Sequence, residues 1–227
     1  MTVIEHLEAL RRVLIVSAVA WLVATAAAFF FWKGIFEFLL HRAGLTHAIF
    51  TGPTGGIFLG LKIALYVGIV AAAPVLIQQI WWFVSPGLHK HERRLILPLI
   101  VATSVFFLIG CAFALYALPL FMKILFSFAP PDLQPLIIGD ELLGFVLAMI
   151  IGFGLVFELP VVLYSLGLMR IISSRWLYKN RGYWLIALGV ISNVLTPGVD
   201  PITPLIMFVP LYVFWEATAL LLKLTGR

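Results

Sequence analysis

From Leu142 to Met169 the chain reads LLGFVLAMIIGFGLVFELPVVLYSLGLM, an apolar run interrupted by one ionisable acid, Glu158. A helix needs about 20 apolar residues to cross a hydrocarbon core roughly 30 Å thick, and this run exceeds that. It lacks the alternation of a membrane-spanning strand, so a helix is the conformation that satisfies its backbone in lipid. Five further runs have the same character: Val13–Trp32, Ile63–Val84, Leu95–Leu118, Tyr183–Leu195 and Ile202–Leu222. The sequence therefore predicts an all-α polytopic membrane protein, with six transmembrane helices in one bundle and a single integral membrane domain over residues 1–227.

Composition says the same. The 227 residues are 63% hydrophobic and 11% charged, against roughly 45–50% and 25% in soluble domains. So few charges cannot coat a water-exposed globule. Six spans with short connections leave no room for a separate extramembrane domain. The single cysteine, Cys111, lies in an apolar run; it closes no internal disulfide, supplies no multi-thiolate site and reads as a small buried filler. The net charge of +5 is spread over membrane-flanking clusters rather than one basic stripe, which excludes a nucleic-acid reading.

Enzyme signatures are also missing from the sequence. There is no phosphate-binding Gly-rich loop ending in Lys-Ser/Thr, no His-Glu-x-x-His pair and no Gly-x-Ser-x-Gly turn. Gly152-x-Gly154 is followed by Leu155 rather than an aspartate, so it makes no intramembrane aspartyl-protease site. His89 and His91 flank Lys90 without an acidic or thiolate companion and read as solvated interfacial residues. No metal, no cofactor and no enzymatic activity is expected.

Orientation follows from the cations. Arg11, Arg12, Lys90, Arg93, Arg94, Arg170, Arg175, Lys179, Arg181, Lys223 and Arg227, eleven of the fifteen, fall at the N-terminus, in loops 85–94 and 170–182 and in the C-terminal tail. Only Lys33, Arg42, Lys62 and Lys123 lie on the other side, so both termini are expected in the cytoplasm. The first run continues through Phe29-Phe30-Phe31-Trp32 and is expected to stay as a span rather than be cleaved as a signal peptide. The fifth run reaches only about 20 Å at 1.5 Å per residue. Either it borrows flanking residues such as Thr196 or the membrane thins beside it.

An acid inside lipid costs about 2.5–3.5 kcal/mol near a helix centre, so each one needs a reason. Glu158 lies in Gly154-Leu155-Val156-Phe157-Glu158-Leu159-Pro160, where Pro160 frees a backbone carbonyl one turn back and favours a kink or notch. Glu158 is then either the floor of a polar groove or hydrogen-bonded glue between helices. Glu216 lies two turns before Lys223 and snorkelling to the interface is an equal reading. On the basic inner face Glu5, Glu8 and Glu92 are scarce acids. Glu92 either pairs with Arg93, Arg94 or a headgroup, or receives a planar cationic guest bidentately. Gly52, Gly56 and Gly60 have helix-packing spacing but are expected mostly in a loop around Pro53.

The stretch Ala73–Arg94, APVLIQQIWWFVSPGLHKHERR, resembles the second span and first cytoplasmic loop of the TatC family of twin-arginine translocase subunits. Further pieces resemble the family in order: His6-Leu7 with Leu10-Arg11, Phe157-Glu158-Leu159-Pro160, Arg181-x-Tyr183, Leu195-Thr196-Pro197 with Asp200, and Glu216. The resemblance covers essentially the whole chain, with six spans, inward termini and short final two helices. It implies a receptor in the cytoplasmic (inner) membrane that binds twin-arginine signal peptides of folded cargo at the cytoplasmic face. It also implies single-span partners TatA and TatB, assembly of several copies in a larger Tat complex, and protein transport driven by the proton-motive force.

The resemblance implies a signal-peptide site of Glu92, Glu8, Arg11, Phe83, Pro86 and Arg93. It implies an intramembrane groove and partner surface of Glu158, Pro160, Pro74, Gln79 and Glu216, with Asp200 in the last external loop. Departures are equally specific. Ala9 stands where the family has a glutamate, and neighbouring Glu8 is rotated from it by about 100° on a helix. Pro53-Thr54-Gly55 replaces a Pro-Thr-Glu pattern, no proline follows span one near Ala43, and Pro204 stands where a glutamine is usual. Two other functions compete: a small proton- or cation-coupled secondary transporter using Glu158 at the midplane, and a scaffold that only organises partner helices. The sequence shows no internal repeat of the kind such a transporter carries.

Overall fold

The computed structural model describes residues 3–49, 52–85, 96–130, 136–196 and 202–226. Its helices are α1 (Val3–Phe30), α2 (Trp32–Arg42), α3 (Gly55–Val84), α4 (Ile96–Phe126), α5 (Gly139–Leu168), α6 (Ser174–Lys179), α7 (Arg181–Leu195) and α8 (Ile202–Leu224). Among the described residues the only β pairing is an isolated parallel bridge, Ile49 to Ile138. Five helices, α1, α3, α4, α5 and α8, are long and apolar enough to cross a membrane, and α7 is a shorter apolar helix. The protein is thus an all-helical, multi-pass membrane protein.

The helices outrun the apolar runs because polar and small residues at their ends continue the same hydrogen-bond ladder. α1 starts ten residues before Val13, and α4 runs on to Phe126. The short fifth run lengthens at its N-terminal end, through Gly182 to Arg181. It does not borrow Thr196, which ends the helix in an extended conformation (ψ 122°). α6 is a helix inside the segment read as a basic loop; the Ser173 side chain caps it by accepting from Trp176 N–H. Gly56 and Gly60 belong to α3 rather than to a loop, and Gly60 packs on the Trp32 ring, where a Cβ would lie 2.9 Å from Cδ2.

The chain divides into two compact units, one of residues 1–88 with 112–147 and the other of residues 89–111 with 148–227. In the first, α1 lies along α3. The Trp21 indole N–H donates to the Leu65 carbonyl (3.0 Å), and a Cβ on Gly68 would lie 2.9 Å from Thr25 Cα, so only glycine allows this approach. The opposite faces of α1 stay apolar and exposed, Leu14, Val19, Leu22 and Val23 among them, as lipid-facing residues must be.

Arg42 closes α2 onto α4. Its Nε donates to the Leu115 carbonyl at 2.8 Å. Leu115 lies four residues before Pro119, which lies inside α4 and has no N–H to give that carbonyl. Arg42 supplies the donor that proline removes. Nearby, Lys62 pairs with the Asp140 carboxylate (2.9 Å) and also donates to its carbonyl, holding the start of α5 to α3.

In the second unit α4 and α5 meet through glycines. A Cβ on Gly110 would lie 2.9 Å from Gly154 Cα, and one on Gly154 would lie 2.7 Å from the Phe107 ring and 3.1 Å from Cys111 Sγ. Cys111 is buried there, a free thiol filling the contact. α6, α7 and α8 gather around Trp215, which is fully buried. The rings of Tyr178, Trp184 and Tyr212 surround it at 6.0, 6.5 and 5.9 Å.

Candidate functional site

α1 has 28 residues, and its first turns carry the charged side chains Glu5, Glu8, Arg11 and Arg12, which are costly within hydrocarbon. There the His6 ring stacks on Phe83 at 4.5 Å and 28°, which ties the beginning of α1 to the end of α3. Phe83 is half-buried by that contact, whereas Glu8 and Arg11 face solvent. Ala9 and Leu10 are half-buried and begin the stripe that continues through Val13 and Ser17. Glu8 is off that stripe, as the 100° step requires. Glu92, Pro86 and Arg93 lie outside the described residues. Of the proposed groove residues on α3, Gln79 is buried and Pro74 half-buried within the helix.

Glu158 lies in α5, four residues after Gly154, so it shares the face that meets α4. Both of its carboxyl oxygens are shielded from solvent and make no hydrogen bond among the described residues. The Phe107 backbone faces it without reaching hydrogen-bonding geometry. One turn before Phe107, Thr103 is buried and donates back to the Leu99 carbonyl (2.7 Å). Pro160 lies within α5 without ending it, and it withdraws the helical donor from Val156. Phe157, beside Glu158, meets Phe214 of α8 edge-on at 4.7 Å. A carboxyl held dry among apolar groups with its acceptors unfilled is costly and readily joined by any donor brought to it.

Glu216 is set differently. It accepts from the Tyr212 hydroxyl at 3.3 Å and faces Arg181 at 3.6 Å. Arg181 also donates to the Tyr212 hydroxyl and lies over the Tyr212 ring, 5.5 Å from its centroid. The snorkelling carboxylate is therefore an ion-paired one, linking α8 to the start of α7. With both partners about half exposed, the pair contributes no more than about 1 kcal/mol. Partial burial, and then the Glu216 charge, push the Tyr178 phenol above its ordinary pKa. Asp200 lies outside the described residues.

The structure thus brings Phe83 to the α1 terminus and Glu158 to α4, and couples Glu216 to Arg181 rather than to Glu158. Sequence reasoning missed the Arg42–Leu115 link, the Lys62–Asp140 pair and the ring cluster around Trp215. Only the first had a local signal: Pro119 announces a carbonyl in need of a donor. Among the described residues no group of His, Cys, Asp and Glu could hold a metal ion.

Residues 5–210 match the family model of the Sec-independent protein translocase protein (TatC). The Sec-independent protein translocase protein TatC of Carboxydothermus hydrogenoformans is 37% identical over 226 residues, covering 98% of this chain and 93% of that protein. The protein of the same name from Aquifex aeolicus is 35% identical over 234 residues, covering 100% and 97%. Among solved structures, a crystal structure of the twin arginine translocase receptor TatC superposes with a TM-score of 0.84 at 34% identity. It covers 98% of this chain and 100% of that one.

Proposed function

The chain belongs to the TatC family of Sec-independent protein translocase proteins, and from that premise we propose that it is the signal-peptide receptor and core subunit of a twin-arginine translocase. The observation that carries the reading is the near full-length likeness to a solved twin arginine translocase receptor. In this reading α1, α3, α4, α5, α7 and α8 are six spans of one membrane domain in the cytoplasmic (inner) membrane, with both termini cytoplasmic. The excess of cations on that side supports the orientation. α7, with 15 residues, reaches about 22 Å, so the bilayer thins beside it.

Recognition is electrostatic selection on a basic face. Cations are repelled from the inner face in general and admitted where a carboxylate meets a planar guanidinium bidentately, which lysine cannot do. Glu92 is the principal carboxylate, and Glu8, Arg11, Phe83, Pro86 and Arg93 are the other residues that meet the signal peptide. The fixed Phe83 ring supports a preformed floor. Glu158, Pro160 and Glu216 of the second unit, and Pro74 and Gln79 of the first, are the intramembrane residues that a signal peptide or the single-span partners TatA and TatB meet, Asp200 standing in the last external loop. Several copies assemble in the complex, and transport draws on the proton-motive force.

The test is crosslinking of a photoreactive paired-arginine signal peptide to the chain in membranes, with a paired-lysine peptide beside it. Labelling near Glu92 that needs the arginines and is lost in Glu92→Gln supports the site. Equal labelling by both peptides would overturn it.

A further inference from the structure

A second polar feature lies where α5 ends and α8 runs out. Gly167, Arg170, Ile172, Ser173 and Gly226 line a cavity of ≈ 270 Å³, ample for a tetrahedral anion when a water's share of liquid is about 30 Å³. Arg170 and Ser173 are its donors. The Arg170 guanidinium has no acceptor among the described residues, and the Ser173 hydroxyl oxygen accepts from Trp176 N–H while its proton has no acceptor among them. Between residues 169 and 226 the described acids reduce to Glu216, which Arg181 holds. Arg170, Arg175, Lys179 and Lys223 therefore outnumber the described carboxylates of this stretch four to one.

The backbone reinforces the point. Ile171 N–H bonds to the Leu166 carbonyl and Arg170 N–H to the Gly167 carbonyl, both at 3.0 Å, which is the closure that ends a helix with a left-handed residue. Arg170 is that residue, with φ 58°, and no other non-glycine among the described residues has positive φ. Glycine is the residue such a position favours. An arginine there, in a residue that lines the cavity, is held at a backbone cost that a glycine would avoid.

We propose that this cavity binds a phosphate group, Arg170 pairing with its oxygens and Ser173 donating to it. Its place at the ends of two membrane-spanning helices puts it at headgroup level, where anionic phospholipid supplies phosphate.

The test uses the purified full chain in detergent, equilibrated either with phosphatidylglycerol or with inorganic phosphate. Binding is read by native mass spectrometry and by thermal shift. Arg170→Gly removes the guanidinium while relieving the backbone, so the variant melts no lower than the parent. Its retention of phosphatidylglycerol should fall about tenfold, the loss of one charge-assisted hydrogen-bonded pair. Lys179→Gln, the same charge removed outside the cavity, should change retention less than about twofold. Retention of phosphatidylglycerol assigns the phosphate to lipid; a shift by inorganic phosphate alone, abolished in Arg170→Gly, assigns it to a soluble anion. Equal losses in the two variants, or binding of neither probe, would overturn the proposal.

Discussion

Replacing Glu158 by methionine separates the cost of that carboxyl from its use. Both oxygens are shielded and lack hydrogen-bond partners among the described residues, and an unsatisfied buried polar group costs about 1–3 kcal/mol. Methionine keeps an unbranched stem of similar length and removes the acceptors. Glu158→Met should therefore stabilise the chain by about 1–3 kcal/mol, which in a protein of this size raises Tm by roughly 2–12 °C. Thermal unfolding in mild detergent, followed by tryptophan fluorescence, measures it. Export of a paired-arginine cargo in membrane vesicles should fall at the same time, because the groove has lost the group that receives a donor. A loss of stability above about 1 kcal/mol would refute the reasoning, since the carboxyl would then be glue with partners. A gain in stability with unchanged export would refute the functional half.

Two further outcomes follow from the same structure. Arg42→Met should cost about 1.5–3 kcal/mol of stability in the parent, the worth of a charge-assisted hydrogen bond, but less than about 0.5 kcal/mol in a Pro119→Ala background, where the backbone N–H regained by that substitution returns to the Leu115 carbonyl; equal costs in both backgrounds, read by denaturant unfolding in detergent, would break the link. Ala9→Glu should tighten binding of a paired-arginine peptide about three- to tenfold by adding a carboxylate on the half-buried stripe of α1, whereas Glu8→Gln should change it less than about twofold; fluorescence titration of a labelled peptide reads both, and a large loss in Glu8→Gln would show that Glu8 serves in place of the absent glutamate.

How much of this was legible depended on range. Each long span could be read from its own residues, because lipid demands a run of apolar side chains wherever the helix passes. The run Leu142–Met169 reappears as α5 with its ends moved by one to three residues. α6 was not legible, since its six residues, SRWLYK, are too few to show a helical period and the helix depends on Ser173 and on Leu177, buried in the fold. The lengthening of α7 at Arg181 depends likewise on a partner elsewhere, Glu216 and Tyr212 on α8.

The prolines make the same distinction within single helices. Pro74, Pro119, Pro160 and Pro210 all lie inside helices, and each withdraws the donor from a carbonyl four residues earlier. Sequence alone identifies those carbonyls but not what answers them. For Leu115 the answer is Arg42, seventy-three residues away. On α5 the need is compounded: Val156 loses its helical donor to Pro160 half a turn from the dry carboxyl of Glu158. The Val156 carbonyl, without its helical donor, and the Glu158 carboxyl, without a partner among the described residues, lie two residues apart in a medium that offers no water to replace either. An unfilled acceptor at this depth lowers the stability of the resting chain, and Glu158→Met measures by how much.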